Sequence, residues 1–175
     1  SNIFIILAGL LVSVILTRKL GPVGFGIYSA ILVIPLLVVS FAQLGIRGSS
    51  IYHIGRKEFN QRDIVAGILL ILVMTSVLGA VITSVSFLFL ADKSFTNLYN
   101  IVVLMLIPFR LAMAYFGGIF IGKEQIGRSN VINWFSEVIH LAAVVVFVWL
   151  MDLQIAGALL ALLVSHILMT LWGLY

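Results

Sequence analysis

The sequence predicts an all-α fold, a polytopic transmembrane helical bundle, on three observations. First, 63% of the 175 residues are hydrophobic and 9% are charged, and the mean hydropathy is +1.27; soluble domains run near 45–50% apolar and about 25% charged. Second, apolar runs of roughly 20 residues recur between short polar breaks, and a helix needs about that length to cross some 30 Å of hydrocarbon. Third, the alternating segments of about ten residues that mark membrane β-strands are missing. The chain has no cysteine, which excludes disulfides, thiol catalysis and zinc–thiolate sites. Its net charge of +4 is no nucleic-acid signature, because most basic residues flank the apolar runs, where topology and anionic lipid account for them.

Taken in order, the runs give six spans at about 3–16, 25–46, 64–90, 98–121, 131–151 and 155–175. The first is short for a crossing, and both ends of the chain are expected to be cut. No basic leader or small-residue cleavage site accompanies it, so no signal peptide is expected. The break after it holds Arg18, Lys19, Gly21 and Pro22; proline fixes φ and glycine accepts conformations closed to other residues, so a re-entry turn is predicted. The second span carries Pro35, a predicted kink, and ends in a stripe of Ser40, Gln43 and Arg47 on one helical face. A long polar connector, 48–63, then leads to the third span, whose Ser76, Gly79, Thr83 and Ser86 form a small-residue face suited to close helix packing. After the loop at 91–97, the fourth span contains Pro108 and, near its centre, Arg110. Asn130, Asn133, Glu137 and His140 step by three, four and three along one face of the fifth. The sixth follows the turn Asp152-Leu153-Gln154 and contains His166, read as a packing residue.

Connectors after the second and fourth spans hold Arg56, Lys57, Arg62, Lys123 and Arg128, against Arg18, Lys19 and Lys93 in the others. The positive-inside rule therefore places the former, and the amino terminus, in the cytoplasm of a multi-pass cell-membrane protein. Arg18 and Lys19 run against that assignment. Trp134, Trp149 and Trp172 lie mostly toward span ends, as an interfacial belt does.

The order Arg18, Leu20, Gly21, Pro22, Gly24, Gly26, Tyr28 after a first span resembles the oligosaccharide flippases of the multidrug, oligosaccharidyl-lipid and polysaccharide exporter superfamily. Phe116-Gly117-Gly118-Ile119-Phe120-Ile121-Gly122-Lys123-Glu124 is similar to their connector between spans four and five, and Ile155-Ala156-Gly157-Ala158-Leu159-Leu160-Ala161 to their sixth span. The resemblance implies that these spans form the amino-terminal half of a molecule with twelve to fourteen, two bundles facing each other across a central cavity. It also implies a polyprenyl-pyrophosphate-linked oligosaccharide as substrate, with membrane lipids and polysaccharide assembly enzymes as partners.

An arginine at mid-bilayer costs about 2.5–3.5 kcal/mol on insertion scales and faces a cavity or a partner by default. Arg110 has two readings: a structural salt bridge to Glu137, or a bidentate grip on phosphate. Arg47 and Arg18 are the other candidates for a cationic lining, Arg47 by snorkelling to lipid phosphate or by facing substrate, Arg18 as the basic lip of a release cavity. Glu137 and His140, one turn apart, suit pairing or ion coupling. No phosphate-binding Gly-rich loop, metalloprotease motif or nucleophile elbow occurs, so neither an enzyme nor a cofactor is expected. A drug or cation antiporter of the same superfamily, a glycan polymerase or ligase, and a structural subunit remain as alternatives. The arginines favour an anionic substrate over a cationic drug, and the short outer connectors disfavour the polymerase.

Overall fold

A computed structural model describes residues 2–43, 45–56, 60–90 and 97–174. Lys57 and Glu58 of the first connector, Asp92 and Lys93 of the 91–97 loop, and Tyr175 at the end of the sixth span lie outside the described residues. The described residues form six α-helices in order: α1 (Asn2–Ala42), α2 (Ile46–Arg56), α3 (Gln61–Leu90), α4 (Asn97–Gly122), α5 (Ile126–Val144), extended by a π-helical turn over Val145–Leu150, and α6 (Gln154–Gly173). An all-helical solution follows from the solvent, because hydrocarbon offers no partner for a backbone N–H or C=O and a helix satisfies both within itself.

Among the described residues five helices are long and apolar enough to cross a membrane: Ile3–Arg56, Arg62–Phe89, Leu98–Gly122, Ile126–Leu150 and Gln154–Gly173. The expected count was six, and the difference lies at the first turn. Helical structure runs on either side of Gly21, whose φ of 70° and ψ of 173° are the one non-helical setting inside the 41 residues of α1. That combination is essentially restricted to glycine. The two arms, 2–20 and 22–42, nonetheless run in opposite directions. Phe4 packs on Trp134 with ring centroids 4.7 Å apart and the rings tilted by 45°, and the Lys19 ammonium lies 5.5 Å from the Trp149 ring centroid, so the first arm lies parallel to α5 in constant register. Ile5 and Gln43 line one cavity, whereas an unbroken helix would hold them about 57 Å apart. The predicted kink at Pro35 does not appear as a break, since the backbone stays helical through it.

A second correction concerns the polar connector after span two. Gly45, with φ of 70°, ends the second arm, and the chain then forms α2 with Ile54 and Ser50 buried. This helix lies against α4 at Gly118 and Gly122, where an added Cβ would stand 3.0 Å from the Arg47 carbonyl oxygen and 2.9 Å from Ile54 Cβ. Ser40, Gln43 and Arg47 therefore do not share one helix. Ser40 is exposed and its hydroxyl donates to the Leu36 carbonyl at 2.8 Å.

α4 packs against each of the other α-helices and contributes to two apolar clusters. Val102, Val103 and Leu106 join Leu16, Ile31, Val148 and Leu159 in one; Ile107, Leu111 and Tyr115 join Val39, Ile54 and Ile132 in the other. The Tyr115 hydroxyl donates to the Ala42 carbonyl at 3.2 Å and meets Thr75 Oγ1 at 3.2 Å. It thereby satisfies one of the carbonyls that the end of α1 leaves without a helical partner. On α3 the small-residue face packs as the sequence suggests: Thr83 is fully buried, and a Cβ on Gly79 would stand 3.2 Å from both Ile107 and Val38.

The reversal at Gly21 is testable because the chain has no native cysteine. A variant carrying Ile5→Cys and Gln43→Cys is expected to cross-link within one chain with a short bis-maleimide. Failure to cross-link while each single cysteine is reactive would contradict the antiparallel arms.

Candidate functional site

A cavity of about 310 Å³ opens beside the midpoint of α4 and is lined by Ile5, Gln43, Arg47, Arg110, Met113, Ala114, Gly117, Asn133, Ser136, Glu137 and His166. Five helices contribute. Arg110, Met113, Ala114 and Gly117 fall on one face of α4 by their spacing of three and four. Asn133, Ser136 and Glu137 do the same on α5. Gln43 and Arg47 both line the cavity although the break at Gly45 puts them on different elements. Arg110 is about 18 Å along α4 from Gly122. The cavity thus reaches from the middle of the bundle to the end where Arg47 lies.

Arg110 does not form the salt bridge to Glu137 that one sequence reading allowed. Among the described residues no hydrogen bond or ion pair engages its guanidinium, though the Glu137 carboxylate is near enough to interact electrostatically. Glu137 Oε2 instead lies 3.9 Å from His140 Nδ1, the neighbour one turn on along its own helix. His140 is 8% exposed, and its Nε2 is buried without a hydrogen-bond partner. The cavity therefore holds two guanidinium groups against one carboxylate, an excess of positive charge in a low-dielectric setting.

The stripe on α5 is partly realised. Asn133 and Glu137 line the cavity, His140 is buried one turn further, and Asn130 is exposed. Arg18 is not at this site. It is exposed beside Lys19, at the opposite end of the first arm from Ile5. Lys19 itself has a structural role: its ammonium pairs with Asp152 at 3.7 Å over the Trp149 ring, tying the first reversal to the α5–α6 turn.

Two polar lining residues were not among the site candidates. His166 is buried as a packing residue is, and it also stands at the cavity wall. Its Nδ1 lies 2.8 Å from the Leu162 carbonyl oxygen, and a carbonyl only accepts, so Nδ1 carries a proton. Ser136 is the other. It stands three residues beyond Asn133, a signal that was available; His166 gave none, because only the packing of α6 on α4 sets it opposite Arg110. Among the described residues no group of three or more His, Asp or Glu is arranged to hold a metal ion.

Chemically, the arrangement can bind a multiply charged anion through guanidinium groups while Gln43, Asn133 and Ser136 offer neutral hydrogen bonds. A wet cavity at this depth predicts that Met113→Cys and Asn133→Cys react with a charged, membrane-impermeant thiol reagent in opened vesicles, while Thr83→Cys, buried in packing, does not. Equal reactivity at all three positions would contradict the assignment.

In comparison with known proteins, the family model described as Polysaccharide biosynthesis protein matches residues 1–175. No curated protein and no solved structure matches the chain.

Proposed function

This chain belongs to the polysaccharide biosynthesis protein family, and from that premise we propose that it carries a polyprenyl-pyrophosphate-linked oligosaccharide across the cell membrane for polysaccharide export. The observation that carries the reading is the mid-bundle Arg110, which faces a polar cavity shared with Arg47 and has no ion pair among the described residues. A diphosphate and a glycan cannot enter hydrocarbon unaided, because desolvating an ion costs far more than lipid returns. A cavity with cationic walls lets the head group cross while the polyprenyl tail stays among lipid chains.

In this account Arg110 and Arg47 grip the diphosphate, with bidentate geometry favouring arginine over lysine. Arg18 serves as a basic lip on the release side. Glu137 and His140 form the pair through which an ion could couple to transport. The end bearing Arg47, Lys123 and Arg128 faces the cytoplasm by the positive-inside rule, which makes the cavity open to the side where lipid-linked sugars are assembled. The bundle acts as the amino-terminal half of a larger transporter, and rocking against a second bundle exposes the site alternately. Polysaccharide assembly enzymes supply the substrate on one face and receive it on the other. A cation antiporter would draw on Glu137 alone, against two arginines in the same cavity.

Cells carrying Arg110→Ala in place of the wild-type chain should accumulate lipid-linked oligosaccharide on the cytoplasmic face, protected from a glycan-modifying enzyme added outside. Loss of one charge-assisted contact corresponds to a fall in transport of about tenfold or more, with Arg110→Lys in between. Accumulation on the outer face would point to a polymerase or ligase, and normal transport by Arg110→Ala in a stably expressed protein would remove the basis of the proposal.

A further inference from the structure

A second groove lies between α3, α4 and the end of α6, and its lining shares no residue with the arginine cavity. It has a volume of about 240 Å³, and its wall is formed by Val65 and Leu69 of α3, Phe116, Ile119 and Phe120 of α4, and the end of α6. Its charged lining residues are Lys123 and Arg128, both cationic and both exposed. The Arg128 guanidinium sits 5.9 Å from the Phe120 ring centroid, which holds it over the apolar wall. Among the described residues neither cation is paired with a carboxylate.

We propose that this groove is a binding site for an anionic phospholipid, its phosphate held between Lys123 and Arg128 and one acyl chain lying along Val65, Leu69, Phe116 and Ile119. The apolar wall alone would select nothing, since a lipid tail gains little by exchanging neighbouring tails for leucine. Selection comes from the head group. A basic pocket between transmembrane helices at the positive end is suited to an anionic head group, each lysine or arginine near such a surface contributing about fivefold in affinity. Arginine adds geometry, because its planar fork matches phosphate oxygens, and lysine reaches the interface on its flexible stem while its methylenes cover apolar surface. The site is independent of the transport reading, but it presses on the same helix. Phe116 faces the groove and Gly117 the arginine cavity, so an occupied groove braces α4 from the side opposite Arg110.

The test uses the full chain reconstituted in phosphatidylcholine vesicles, with binding of phosphatidylglycerol brominated on its acyl chains read from quenching of tryptophan fluorescence. Trp172 adjoins the groove-lining Gly173 and serves as the reporter, in a background carrying Trp134→Phe and Trp149→Phe. Wild-type lining residues should bind brominated phosphatidylglycerol about tenfold or more tightly than brominated phosphatidylcholine. Lys123→Ala with Arg128→Ala should abolish that preference, while Arg56→Ala with Arg62→Ala, which removes the same charge from the same end, should leave it. Leu69→Trp, which fills the groove without touching its charges, should weaken binding in a competition with unlabelled lipid followed by native mass spectrometry. Equal loss from the two charge pairs would show only a diffuse surface potential and overturn the site, as would undiminished binding in both the Lys123/Arg128 and Leu69 variants.

Discussion

A guanidinium halfway along a membrane helix has to be solvated by something, and in this bundle that requirement organises the parts around it. Insertion of arginine at mid-bilayer costs about 2.5–3.5 kcal/mol, several times what any single leucine returns. α4 offsets the cost by lying at the centre of the bundle, packed on every other α-helix, so that Arg110 opens toward protein and polar groups instead of lipid. Gln43, Asn133, Ser136, Glu137 and His166 converge on the same cavity. Had Glu137 closed on Arg110, the charge would have been neutralised within the fold. It leans toward His140 instead, which leaves a positive cavity with capacity for an external anion.

The geometry that presents Arg47 to this cavity rests on backbone constraints rather than on charge. Gly45 takes a positive φ that lets α1 end and α2 begin within three residues. Gly118 and Gly122 then allow α2 to approach α4 so closely that a methyl group at Gly122 would collide with Ile54 and one at Gly118 would crowd the Arg47 backbone. Tyr115 joins the same junction by donating to the Ala42 carbonyl, so the place where α1 stops is fixed by a residue on the arginine-bearing helix. At the opposite end the Lys19–Asp152 pair and the Gly21 corner hold the first reversal against the π-helical end of α5. The cavity is thus framed by the reversal at Gly21 and the helix break at Gly45, each made at a glycine with a positive φ that other residues avoid.

Most of the helical content was legible, because twenty-residue apolar runs leave few alternatives in hydrocarbon. The boundaries at Gly21 and Gly45 were less so. A Gly-Pro pair signals a turn but does not say whether it takes one residue or eight, and a polar segment such as 46–56 reads as loop when its few apolar residues, Ile46 and Ile54 among them, are judged without the glycines they pack on. The α5 stripe was visible from its spacing, and two of its members, Asn133 and Glu137, line the cavity. His166 was not visible, since its polar neighbours Ser165 and Thr170 make no longer stripe on α6 and only inter-helix register brings it to the cavity. The Arg110–Glu137 pairing failed for a related reason: compatible depth on two helices does not decide which neighbour a carboxylate turns to when a histidine stands one turn away.

The central claim is that the cavity recognises a lipid by its diphosphate, and the most direct measurement is equilibrium binding of two lipids that differ only there. Polyprenyl pyrophosphate and the corresponding polyprenol, titrated against the purified wild-type protein and against Arg110→Gln, isolate the head-group contribution at constant tail. The account predicts that wild type binds the pyrophosphate about 10- to 100-fold more tightly than the alcohol, the range expected for charge-assisted hydrogen bonds, and that Arg110→Gln loses most of that margin. Indistinguishable affinities for the two lipids in wild type, or a margin that survives Arg110→Gln intact, would contradict it.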